Sequence, residues 1–143
     1  MEIPQEQRDR IIDDEHLRLL GLGHYITGGL AIAFASLFIF HLAFLLVAAA
    51  NPGMFPEAPG AHAPGPGFFA TFAAVVGLMI VAGWAFGGLT IYAGRCIARR
   101  RGRMLTFVMA CLNTLFIPVG TVLGVFTLIV LSRPSVKRQY EEE

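Results

Sequence analysis

The stretch NTLFIPVGTVLGVF, residues 113–126, sets one proline and two glycines near the middle of a long apolar run. That run, residues 104–131, is 28 residues long and holds no Asp, Glu, Lys or Arg. As one straight helix it would extend ~42 Å against a bilayer hydrocarbon core of ~30 Å. Tilt alone would have to reach roughly 45°, beyond the usual range of ~0–40°. Pro118 disfavours α geometry at Ile117 and ends a first half. In Ile117–Gly120 the proline sits where a type I turn favours it, with Gly120 at the fourth position. Thr121 then suits the N-cap of a second half. Halves of 104–117 and 121–131 are ~21 and ~17 Å long, and neither can cross a bilayer. Two readings follow. One is a re-entrant helical hairpin with both ends on one side. The other is a kinked third span, since membrane helices tolerate proline. The hairpin requires its turn to be covered by protein, because bare backbone cannot face lipid.

The rest of the chain points to the same solvent. Of 143 residues 55% are hydrophobic and only 15% charged, against about 25% charged in soluble domains. Charge is absent from His24 to Pro56 and again from Ala58 to Gly94. Uncharged apolar runs beyond roughly 18 residues read as membrane spans. The chain therefore reads as a single domain, an all-α integral membrane protein with two antiparallel transmembrane helices and a Pro/Gly-broken third hydrophobic segment. Span one covers 24–50, too long for the h-region of a cleavable signal, and span two covers 68–94. Between them, residues 51–67 hold five prolines and four glycines and read as an exposed loop containing His62. Residues 4–23 place Ile11, Ile12, Leu19 and Leu20 near helical spacing opposite charges, which predicts an amphipathic helix on the membrane surface. Residues 132–143 read as a polar tail. Cys96 and Cys111 make no disulfide framework.

Orientation follows from basic residues, which accumulate on the cytoplasmic side. The N-terminal segment has three, the Pro-rich loop none, and the inner loop 95–103 has five: Arg95, Arg99, Arg100, Arg101 and Arg103. The expected arrangement is a multi-pass protein of the bacterial inner membrane with a cytoplasmic N-terminus. A hairpin at 104–131 would put all eleven basic residues on that side.

Three segments, EHLRLLGLGHYITGGL, the Arg loop and PVGTVLGVFTLIVLSRPSV, resemble a family of small bacterial integral membrane proteins. That family carries H-L-x-L-L…H-Y-x-x-G-G-L, a Pro-rich linker and a C-terminal P-x-G-T-x-L-G-x-[FY]. The matching residues are His16, Leu17, Leu19, Leu20, His24, Tyr25, Gly28, Gly29 and Leu30, then Pro118, Gly120, Thr121, Leu123 and Gly124. The resemblance implies a membrane class and a fixed break at Pro118, and it implies no reaction.

Side chains able to carry chemistry are few. His41 lies inside span one, where an ionisable residue marks a site by default. It is a ligand for a metal or tetrapyrrole, or else a neutral imidazole bonded to a neighbouring helix, and the bland role is expected. His24 and Tyr25 suit anchoring at the inner boundary, and Trp84 is expected to fill a gap beside glycines. Asn113 is placed to tie down backbone groups freed by Pro118. Small residues give the firmest signal, because they let helices approach closely in lipid. Gly83, Gly87 and Gly94 share one face, Ala73, Gly77 and Gly88 another, and Gly120 and Gly124 a third. The arginines fit anionic lipid headgroups. No Ser/His/Asp set, phosphate loop, H-E-x-x-H or paired carboxylates occur in the sequence. No enzyme, cofactor or nucleic-acid partner is expected. A membrane scaffold or accessory subunit, homo-oligomeric or part of a larger complex, is the first functional reading. A small channel or transporter lined by the broken segment is the alternative, and a tetrapyrrole-binding subunit through His41 is the third.

Overall fold

The computed structural model describes residues 4–54, 65–116 and 119–141. Most of the Pro-rich loop with His62, and the Ile117–Pro118 step of the expected turn, lie outside the described residues. Five helices follow one another: α1 (Gln5–Ala50), α2 (Pro66–Ala98), α3 (Arg103–Thr114), α4 (Val119–Leu131) and α5 (Pro134–Glu141), with a 3₁₀ turn at Pro52–Met54. No strand occurs among the described residues.

The expected surface helix 4–23 and span 24–50 are one uninterrupted helix of 46 residues, ~69 Å long. Gly21 and Gly23 weaken helix by roughly 1 kcal/mol each, but no proline interrupts the run. Leu17 and Leu20 are buried, whereas Ile11, Ile12 and Leu19 stay exposed. Helix α2 opens at Pro66, a favoured first position, with the Phe68 amide bonded to the Gly65 carbonyl at 2.9 Å. Both helices are long and apolar enough to cross a membrane, and their apolar windows are only 6% and 17% buried. A core helix of a soluble fold would be mostly covered. These present their apolar surface outward.

Helix α2 ends with Arg100 in the left-handed region at φ 52. The Arg100 amide bonds to Ile97 O at 3.1 Å and the Arg101 amide to Cys96 O at 2.9 Å. This is the paired closure that usually takes glycine at Arg100's position. Gly102, at φ 66, then leads into α3.

The chain divides into two compact units, residues 1–30 with 87–143, and residues 31–86. In the first, α3 buries Thr106, Met109, Ala110 and Asn113, one helical face. Helix α4 lays Gly120 and Gly124 on that face. A Cβ at Gly120 would collide with the Asn113 carbonyl, and one at Gly124 would lie 2.5 Å from the Ala110 carbonyl. Helices α1 and α2 meet in the same manner. A Cβ on Gly28 would lie 2.6 Å from the Gly87 carbonyl, and one on Gly94 would lie 3.0 Å from the Gly21 carbonyl. Leu17, Leu20, Ile97, Val130 and Val136 form the apolar cluster of this unit, with Leu123 and Tyr140 against it. The expected polar tail is thus a folded helix, because Val136 and Tyr140 stand four residues apart and share a face.

In the second unit a Cβ on Gly83 would come 2.7 Å from the Ala35 methyl. Trp84 is 44% exposed and donates from Nε1 to Ser36 Oγ at 3.1 Å. It bridges helices rather than filling a gap.

Gly28 and Gly29 are neighbours on α1, yet an added Cβ at Gly29 meets nothing within 4 Å. Helix propensity favours alanine at both by roughly 1 kcal/mol. Gly29→Ala should raise or preserve the melting temperature in detergent. Gly28→Ala should lower it, by roughly 1–3 kcal/mol of overpacking. Equal shifts for the two would remove the contact argument.

Candidate functional site

The polar residues of the first unit converge where α1 begins, α2 ends and α5 starts. Asp13 on α1 has a side chain only 3% exposed. Its Oδ1 receives Arg133 Nη1 at 3.1 Å and its Oδ2 receives the Ser135 hydroxyl at 2.6 Å. The same Arg133 nitrogen stands 3.4 Å from His16 Nδ1, and the His16 ring sits edge-on to Phe126 at 5.7 Å. One residue further along, Asp14 stands beside Arg100, 2.6 Å apart at an exposed position. The Arg103 guanidinium donates to the Leu131 carbonyl at 3.1 Å. The first residue of α3 is thereby tied to the last residue of α4.

Of the five loop arginines, Arg100 and Arg103 are engaged within the protein. Arg95, Arg99 and Arg101 are exposed and carry no ion pair among the described residues. An open groove of about 620 Å³ is lined by Glu15, Leu17, Arg18, Leu22 and Tyr25 on α1 and by Ala98 on α2. Tyr140 on α5 has its phenol pushed up to about 12, chiefly by burial and then by Cys96, against the pull of Arg100 and Arg103.

The glycines separate into two classes. Gly83, Gly87, Gly94, Gly120 and Gly124 stand at close helix contacts, with Gly21 and Gly28 as unforeseen counterparts on α1. Gly77 has a Leu42 methyl at 4.0 Å and Gly88 has nothing within 4 Å of an added Cβ, so these two make no close helix contact within the described chain. Thr121 does not cap α4 from outside. It lies within the first turn, where its hydroxyl donates to Thr114 O at 2.9 Å and its amide to Phe116 O at 3.1 Å. Two carbonyls left over at the end of α3 are satisfied this way. Asn113 does not perform that task, for both polar atoms of its buried side chain lack a partner.

His24 is fully buried rather than boundary-exposed, because glycine at position 94 lets α2 close over it. Its Nδ1 bonds to Leu20 O at 2.9 Å. His41 is exposed and makes no hydrogen bond to another helix; its ring lies 5.7 Å from that of Phe38. Among the described residues no three His, Cys, Asp or Glu side chains gather as a metal site. Asp13, His16, Ser36 and Ser135 escaped the sequence reading, since each needs a partner 48 to 122 residues away.

Arg133 is part-exposed, whereas Asp13 is not. Removing the arginine strands a buried carboxylate, while removing the aspartate leaves a cation that water can reach. Arg133→Ala should therefore destabilise more than Asp13→Ala, by about 1–2 kcal/mol. The double variant should recover part of the loss. Thermal unfolding in detergent checks this, and strict additivity would contradict it.

Comparison with protein-family models, with curated proteins and with solved structures finds no match, so function has to be argued from these contacts.

Proposed function

We propose that the protein is a non-enzymatic scaffold or accessory subunit of the bacterial inner membrane. It acts through helix packing and through contacts of its cytoplasmic face. The observation that carries this is the tie between Arg103 and Leu131, joined by that between Asp13 and Arg133. Both ends of the last apolar run lie with the start of α1. In a bilayer this favours the re-entrant hairpin over a kinked third span, with N-terminus, Arg loop and C-terminal helix all cytoplasmic. The basic-residue count supports the same side.

The polar side chains gathered there are spent on one another, as suits a clamp. Gly120 and Gly124 bring α4 into close backbone contact with α3, which suits a packing role. Arg95, Arg99 and Arg101, exposed at the end of α2 and in the loop after it, fit the headgroups of anionic lipids at about 1 kcal/mol each near the surface. The outward apolar surface of α1 and α2 offers lipid and other membrane helices a continuous contact. The likeness to small bacterial membrane proteins agrees with this class.

Sidedness is the first check. A reporter fused after Glu143 should behave as cytoplasmic, and a cysteine placed at Ala61 should react with an impermeant reagent from outside. Cys96 is buried and does not report sidedness. Purification from native membranes should then recover the chain with further membrane chains or with copies of itself. An exported reporter refutes the hairpin, and a solitary monomer refutes the scaffold.

A further inference from the structure

In the second unit His41 is a polar side chain that the fold leaves unexplained. Among the described residues of its unit, Ser36, Asn51, Thr71 and Trp84 each make a hydrogen bond. Among these same residues His41 has no hydrogen-bond partner and is exposed, with the Phe38 ring 5.7 Å from its own. It stands ten residues before Asn51, about 15 Å along the helix axis, in a run with no charge. On the proposed membrane reading that is near the middle of the hydrocarbon. An unpaired polar group there costs several kcal/mol, so something polar has to meet it.

The surroundings of His41 point to what meets it. Phe34, Leu37, His41 and Phe44 follow one another at intervals of three, four and three residues. These intervals match the a/d spacing of helices that pair. Phe34, Leu37 and Phe44 are 64%, 61% and 52% exposed. A polar residue at one a position is the device that fixes register and copy number in such pairs. Interhelical hydrogen bonds serve the same end in lipid, where apolar contact alone is not selective.

We infer that α1 pairs with α1 of a second copy along this seam, with the two His41 rings hydrogen-bonded to each other. All copies enter the membrane in one direction, so a two-fold axis along the membrane normal brings like residues together. A neutral imidazole carries one donor and one acceptor. It is therefore its own complement, and one N–H donates to the bare nitrogen of the partner ring. A lone carboxylate or arginine from a different protein would bring a net charge to mid-membrane, which this pairing avoids. The pairing rests on the membrane reading and goes beyond it by naming the face and the partner.

The test is cross-linking of the full chain in native membranes, with Cys96 and Cys111 replaced by alanine. His41→Cys, Leu37→Cys and Phe44→Cys should form disulfide-linked pairs of twice the chain mass on mild oxidation. Ile39→Cys and Leu46→Cys are also exposed positions, but they lie on the other side of α1 and should link at least tenfold more slowly. His41→Leu, which keeps the surface apolar, should lower the cross-linking of Leu37→Cys. Equal rates at all five positions, or none at any, would overturn the pairing. So would an adduct to a chain of different mass. These outcomes are independent of the sidedness of the C-terminus, so the pairing and the hairpin fail separately.

Discussion

Close helix contacts among the described residues of this protein depend on the absence of a side chain. At Gly28 against Gly87, Gly94 against Gly21, Gly83 against Ala35, Gly120 against Asn113 and Gly124 against Ala110, even a methyl group would press on the opposing helix. Lipid is as apolar as leucine, so burying apolar surface gains little between helices in a bilayer. Close backbone approach, with the dispersion contact it allows, is the main force left. The same approach has other consequences in the first unit. It seals His24 beneath α2, and it brings Thr121 near enough to satisfy the free end of α3.

At the charged end a different physics operates. Leu17, Leu20, Ile97, Val130 and Val136 form a cluster beside Asp13, Asp14, Arg100 and Arg133. Those ion pairs belong with water, and on the proposed reading this end lies at the cytoplasmic surface. There the hydrophobic effect acts in full, roughly 1.5–3 kcal/mol for each large side chain covered. Helix α5 is held by that cluster and by Ser135 on Asp13. The first unit thus combines close helix packing with a water-driven cluster, and the Asp13–Arg133 pair ties α1 to the step between α4 and α5.

Much of this was legible in the sequence because it was periodic or compositional. The long uncharged runs and the close-contact glycines on α2 and α4 declare themselves within a few residues. What escaped depends on distant partners. Asp13 reads as one more charge in an acidic stretch until Arg133 is set beside it. Val136 and Tyr140, two apolar residues in a polar tail, carry too short a pattern to predict a docked helix. The extent of α1 is not legible in the sequence, because the change from charged to apolar residues at 23–24 has the look of a boundary. Helix geometry ignores that change when no proline marks it. His24 was misplaced because its cover comes from a glycine, which exerts its effect by what it lacks.

Met104 is 83% exposed at the start of the last apolar run, and Ser132 is exposed just past its end. Spin labels at these two positions, in protein reconstituted into liposomes, measure directly whether the chain returns. A doubled-back pair of helices tied by Arg103 and Leu131 predicts a narrow distance distribution below about 20 Å, the width of two helices side by side. A distribution centred near 42 Å, the length of 28 residues in one continuous helix, would contradict the account.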